Sequence, residues 1–188
     1  MKKTLLIAGD SFSSDWTKKY DGIGWVNMLD FDYKVTNISQ AGVSEYKIYQ
    51  QLNSVDLTKF DNIIVSHTSA YRIPIQEHPI HKDDLLHHNC DILFSDVEQH
   101  LDNPIMKTAY DFYSEIFYPE YFCFVNDLIF EKIKQITPTA THITFFDSFY
   151  NDSVYKFENY FLENRGIINH LSKMGNYMVY QKILELLK

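Results

Sequence analysis

The sequence predicts a three-layer α/β domain with four or five parallel strands. Short apolar runs that close on glycine or polar residues have the length and texture of buried strands. Through the N-terminal third these runs alternate with segments of helical periodicity, the signature of a parallel sheet joined by crossover helices. Hydrophobic residues make up 45% of the chain and charged residues 22%, the composition of a folded globular domain.

Lys3–Ala8 is an apolar run stopped by Gly9-Asp10 and reads as the first buried strand. Ile23–Leu29 suits a short helix, and Tyr33–Ile38 a second strand. Ser44 can cap a helix on which Tyr46, Tyr49 and Leu52 share one face. Asp61–Ser66, with Ile63-Ile64-Val65 at its centre, is the third strand. The segment from Tyr71 to Asn103 holds Pro74, Pro79 and most of the histidines with weak periodicity, and reads as a loop-rich insertion at about residues 71–103. Pro104–Thr137 reads as two helices broken at Tyr118-Pro119, with Pro119 in the first turn of the second. There Tyr121, Val125, Leu128, Ile129, Ile133 and Ile136 are expected to form the buried face. Thr141–Phe146 is a β-branched fourth strand. The aromatic stretch Phe145–Phe161 reads as packing rather than a sugar platform. Leu171–Leu187 is the closing helix, with Leu171, Met174, Met178, Ile183 and Leu187 on its inner side. Nothing marks a linker or a repeat, so residues 1–188 are expected to form a single domain.

Seventeen basic residues against 25 acidic ones give a net charge of −8. That charge disfavours nucleic acid and anionic membrane surfaces as partners. The apolar runs fall far short of the ~20 residues of a membrane span. The stretch after Met1-Lys2-Lys3 is shorter than the ~7–15 residues of a secretory h-region, so the chain reads as cytoplasmic. Two cysteines, Cys90 and Cys123, argue against a disulfide scaffold and a cysteine-based zinc site.

In a parallel α/β sheet the ligand crevice lies beyond the carboxyl ends of the strands. Gly9–Ser13, Ser39–Ser44, Ser66–Arg72 and the loop before the last helix are therefore where function is sought. Ser11 follows a glycine that permits a tight turn, which exposes its hydroxyl above the sheet; alternatively Asp10 and Ser11 cap a following helix. His170 stands at the entrance to the terminal helix. There it is either an ordinary first-turn residue or the base for Ser11, the pairing that covalent acyl transfer requires.

These pieces, in this order, resemble the SGNH (GDSL-like) hydrolases. Gly9-Asp10-Ser11 matches the nucleophile block, and Gly24-Trp25 with Leu29 looks like the tryptophan-containing helix. Asn37 to Gly42, followed by Ser44, resembles the second block. His170-Leu171-Ser172 with Gly175 resembles the last. The resemblance implies a flavodoxin-like fold and an esterase in which Ser11 is the nucleophile and His170 the base. Short acyl esters, including O-acetyl groups on carbohydrates, are the implied substrate class. The backbone N–H groups of Ser11 and Gly42 and the side chain of Ser69 would form the oxyanion hole.

The sequence departs from the family at two positions. Ser69 stands where the family has an oxyanion-binding asparagine. Ile167 stands where it has the acid that orients the histidine, leaving Glu163, Asp147 or a backbone carbonyl as the group that orients His170. Asp10, Thr68 and Arg72 are candidate substrate contacts, Arg72 toward an anionic group. His78, His81, His87, His88 and Cys90 are read as part of a polar lid, with no metal and no organic cofactor expected. The expected partner is a small-molecule or carbohydrate ester. Two alternatives remain open: an acyltransferase using the same pair, and an inactive module that binds a glycan or a protein.

Overall fold

The computed structural model describes residues 1–20, 22–146, 153–166 and 170–188. Its strands are β1 (Thr4–Gly9), β2 (Lys34–Asn37), β3 (Asn62–His67), β4 (Arg72–Ile73), β5 (Ile92–Leu93), β6 (Thr141–Thr144) and β7 (Tyr155–Lys156). Five of them form one sheet in the order β2-β1-β3-β6-β7, and every pair in it is parallel. The central register sets Ile7 beside Ile64 and Gly9 beside Ser66. This aligns the carboxyl ends of β1 and β3. The antiparallel pair β4–β5 stands apart and folds the insertion back on itself.

The helices are α1 (Trp25–Met28), α2 (Glu45–Asn53), α3 (Phe94–Gln99), α4 (Pro104–Glu115), α5 (Pro119–Ile136), α6 (Glu158–Glu163) and α7 (Lys173–Leu186). Alternation along β1 builds two cores, because successive side chains point to opposite faces of a sheet. Leu5 and Ile7 meet Trp25 and Val26 of α1, Leu29 just after it, and Val179 and Ile183 of α7. Leu6 and Ala8 meet Ile48 and Leu52 of α2 and Ile133 of α5. The architecture is thus a three-layer α/β sandwich, with its fifth strand drawn from the aromatic stretch. Among the described residues no helix is long and apolar enough to cross a membrane.

The chemistry of the helix ends is local. Ser44 caps α2 by accepting from the Lys47 N–H, and Ser172 caps α7 by accepting from the Gly175 N–H. Pro104 and Pro119 occupy first turns, where their missing N–H is not needed.

The predicted buried faces of three helices are rotated from the observed ones. On α2, Ile48 and Leu52 are buried with Glu45, Lys47 and Gln51, whereas Tyr46 points outward. On α5 the buried set is Asn126, Phe130 and Ile133; Tyr121 and Leu128 are more than half exposed. Apolar residues ring α5 on nearly every side, so periodicity alone does not choose its inner face. On α7, Gly175, Val179 and Ile183 face inward and Met174 outward. Gly175 carries no hydropathy signal, yet a Cβ there would lie 2.7 Å from Asn164 Cβ. The close approach of the preceding loop therefore needs this glycine.

Candidate active site

The turn after β1 is drawn tight by contacts from three directions. Gln51 of α2 holds Gly9 with both ends of its amide, donating to the Gly9 carbonyl (3.1 Å) and accepting from its N–H (2.9 Å). A Cβ on Gly9 would come within 2.6 Å of Ser13 Oγ and of Ser66, so only glycine lets the turn pass so close to β3. Asn37, at the end of β2, donates to the Ser13 carbonyl (2.8 Å). The chain then makes hydrogen-bonded turns at residues 10–14 and a short 3-10 helix at Trp16–Lys18. The capped helix considered from the sequence does not begin here.

Within this turn the hydroxyls divide. Those of Ser13 and Ser14 both donate to the Asp10 carbonyl, at 3.1 and 3.0 Å, and both residues are buried. Ser11 is only partly buried and stands outside that pair of bonds. Its carbonyl accepts from Trp16 Nε1 at 2.6 Å. Among the described residues, neither the Ser11 N–H nor the Gly42 N–H donates to a protein acceptor. Gly42 has φ +76°, in the left-handed region that favours glycine. It packs so closely on Cys90 that an added Cβ would lie 2.6 Å from the Cys90 Cβ. Burial pushes the Cys90 thiol up to about 12, so Cys90 is protonated at neutral pH and unsuited to act as a nucleophile.

His170 reaches the same turn from the far end of the chain. Its ring centroid lies 4.5 Å from that of Trp16 and 5.0 Å from that of Phe12. The His170 carbonyl accepts from the Gly166 N–H, and an Arg165–Leu171 bridge closes the loop. Asn176 of α7 accepts from the Trp25 N–H (3.0 Å) and donates to the Leu171 and Ser172 carbonyls. The loop is thereby fastened to α1. Asn176 and Trp16 were not singled out from the sequence, because one is a polar residue at the end of a helix's first turn and the other belongs to no motif. Glu163 ends α6 in an exposed position. Ile167, Asn169 and Asp147 lie outside the described residues.

Below the turn is a buried polar network. Asp10, fully enclosed, accepts from the Phe12 N–H (3.2 Å), the Ser66 hydroxyl (3.4 Å) and the Thr68 hydroxyl (3.3 Å). Its Oδ2 lies 3.9 Å from Arg72 Nη2. Burial raises the Asp10 carboxyl to about 6 even though the Arg72 charge opposes the shift. Asp10, Thr68 and Arg72 therefore sit together, all buried, beneath the turn rather than on an exposed lip. Ser69 is partly buried, and its Oγ accepts from the Tyr71 N–H at 3.3 Å. Next to this network, Glu45 pairs with His67 Nδ1, and His67 Nε2 meets His142 Nδ1 at 2.9 Å. The relay ties α2, β3 and β6 together, and burial with the neighbouring His67 lowers the His142 imidazole to about 4.

Two cavities flank the turn. The larger, of about 910 Å³, lies between α1 and α7 and is walled mainly by Phe12, Trp16, Trp25, His170, Leu171 and Tyr177. The smaller, of about 160 Å³, is bordered by polar groups of Ser14, Asn37, Ser39, Gln40 and His88. Ser14 borders both; Ser11 stands just outside each lining. No protein-family model matches the chain, and no curated protein matches it as a relative.

Proposed function

We propose that this chain is a serine hydrolase of the SGNH type that cleaves an acyl ester through an acyl-Ser11 intermediate. The observation that carries this reading is the meeting of His170 with the Ser11 turn, since these residues come from opposite ends of the chain. Counted within the sheet, the strand order is 2-1-3-4-5, that of flavodoxin-like doubly wound sheets. This agrees with the fold of that family. In the proposed reaction His170 takes the Ser11 proton as the hydroxyl attacks the acyl carbonyl, then returns it to the leaving alcohol. The uncommitted N–H groups of Ser11 and Gly42 would receive the oxyanion, with the Ser69 hydroxyl as a third donor. Asp10, Thr68 and Arg72 act from below by fixing the turn. The aromatic cavity beside His170 suits the apolar part of the ester, and the polar one its alcohol side, a carbohydrate among the candidates.

A second reading, a module of the same fold that binds without turnover, draws on Ser69. Its Oγ is engaged by the Tyr71 N–H, whereas the family's asparagine points its side chain at the oxyanion. Labelling with a fluorophosphonate, read by intact mass on the parent and on Ser11→Ala, separates the two. An activated serine gives a single adduct that is absent from the variant. No adduct on the folded parent, together with no turnover of a p-nitrophenyl ester series from acetate to decanoate, would reject the hydrolase.

A further inference from the structure

The insertion holds a second cluster that the acyl-transfer reading does not use. His78 and His81 lie on one short loop, and Asp96 lies on α3. Asp96 Oδ2 stands 3.8 Å from His78 Nε2 and 3.5 Å from His81 Nε2. The two imidazoles stack at 4.7 Å between centroids. One ligand atom from each residue falls within 4.8 Å of the others. We propose that His78, His81 and Asp96 form a binding site for a divalent transition-metal ion of the zinc type, which pins α3 to the loop before it.

Two features support the assignment. Two imidazoles and one carboxylate are a donor set that suits zinc, and they supply three positions of a tetrahedron. A fourth could come from water or from His100, the ring of which lies 6.1 Å from that of His81. His78 is completely buried (0%), and its Nε2, facing Asp96, has no hydrogen-bond partner among the described residues. A buried polar atom left in this way costs stability unless something meets it.

The other ring nitrogen sets a condition on binding. His78 Nδ1 accepts from the Ile80 and His81 backbone N–H groups, each at 3.2 Å. These contacts aim Nε2 at Asp96, and they also place the proton of the neutral ring on Nε2. Metal coordination must therefore shift that proton to Nδ1 and release the two backbone contacts. Both lie at the long end of the hydrogen-bond range. The local turn at residues 78–81 should consequently rearrange on loading.

The test uses the full chain, stripped with EDTA and then freed of chelator. It is titrated with ZnCl2 against a chromophoric chelator and, separately, with CoCl2 read by visible absorption. One ion per chain should bind, with cobalt giving tetrahedral ligand-field bands and no thiolate charge-transfer band. Zinc should raise Tm. Asp96→Asn and His81→Ala, both at partly exposed positions, should each weaken binding by about tenfold or more and abolish the Tm shift. His78→Asn keeps an oxygen where Nδ1 accepts the backbone bonds and removes only Nε2, so it should fold and lose the ion. Circular dichroism checks that each variant is folded. Unsaturable binding by the parent, undiminished binding in any of the three folded variants, or loss only on changing His87 and His88 would overturn the site.

Discussion

Asp10→Asn tests the buried network by its free energy. The Asp10 carboxyl ordinarily titrates near 3.8 and is raised to about 6 in the fold by burial. Below ~4 both the folded and unfolded chains hold the proton, and the group is neutral to stability. Between ~4 and ~6 the unfolded chain loses its proton while the folded chain keeps it, so stability falls as pH rises. Above ~6 both are ionised and the loss is complete, at about 3 kcal/mol for a shift of this size. Asparagine imitates the protonated acid: its carbonyl can accept from the Phe12 N–H, and its amide can donate to the Thr68 hydroxyl. Asp10→Asn should therefore be more stable than the parent at pH 8, by up to about 3 kcal/mol. The advantage should shrink toward zero as the pH approaches ~4. The amide donors face Arg72, which makes that figure an upper bound and the slope with pH the sharper observable. Urea unfolding, followed by the fluorescence of Trp16 and Trp25 from pH 4 to 8, measures it. A stability difference that does not change with pH, or one that grows on acidification, would refute the reasoning.

The other predictions address the site and the elements that support it. If Ser11 and His170 act as a unit, Ser11→Ala and His170→Ala should each remove most ester turnover, with the double variant little worse; additive losses in kcat/KM would separate them. Gly42→Ala should lower stability by at least about 1–3 kcal/mol, because it forces a side chain into the left-handed region and onto Cys90. A urea midpoint equal to the parent's would show that the loop yields. Lys47 Nζ pairs with the buried Asp91 at 2.8 Å, while Asp91 also accepts from the Ser44 and Ile75 N–H groups. Lys47→Met should destabilise by about 3–5 kcal/mol by leaving that carboxylate without its cation. The accompanying Asp91→Asn change should restore part of the loss, and a double variant no better than Lys47→Met would contradict the pairing.

The sequence by itself determined the layers, the four central strands with the longer helices, and the chemical punctuation, but not the short elements β4, β5, α3, β7 and α6. Strand-sized apolar runs such as Leu5–Ala8 specify buried strands because both faces of each must be covered. Pro104, Pro119 and Ser44 mark helix starts because capping and the missing proline N–H are local effects, complete within a turn of chain. Gly9-Asp10-Ser11 and His170 were legible as candidates for the same reason: residue type and position relative to a strand or helix end are written in the sequence.

What tertiary structure decided was which side of a helix faces inward and which distant groups meet. The rings of apolar residues on α5 leave its inner face to be chosen by packing on Leu6, Ala8 and Ile48. Asp10, Thr68 and Arg72 were candidates from their place beyond the strand ends, and it is tertiary packing that gathers them into one buried network. The ordering of the serines in the turn depends on where the Asp10 carbonyl points. The contact of His170 with Trp16, and of His78 with Asp96, depends on chain closure over long separations. Sequence patterns report local free energy, whereas these pairings follow from the burial of the whole sheet.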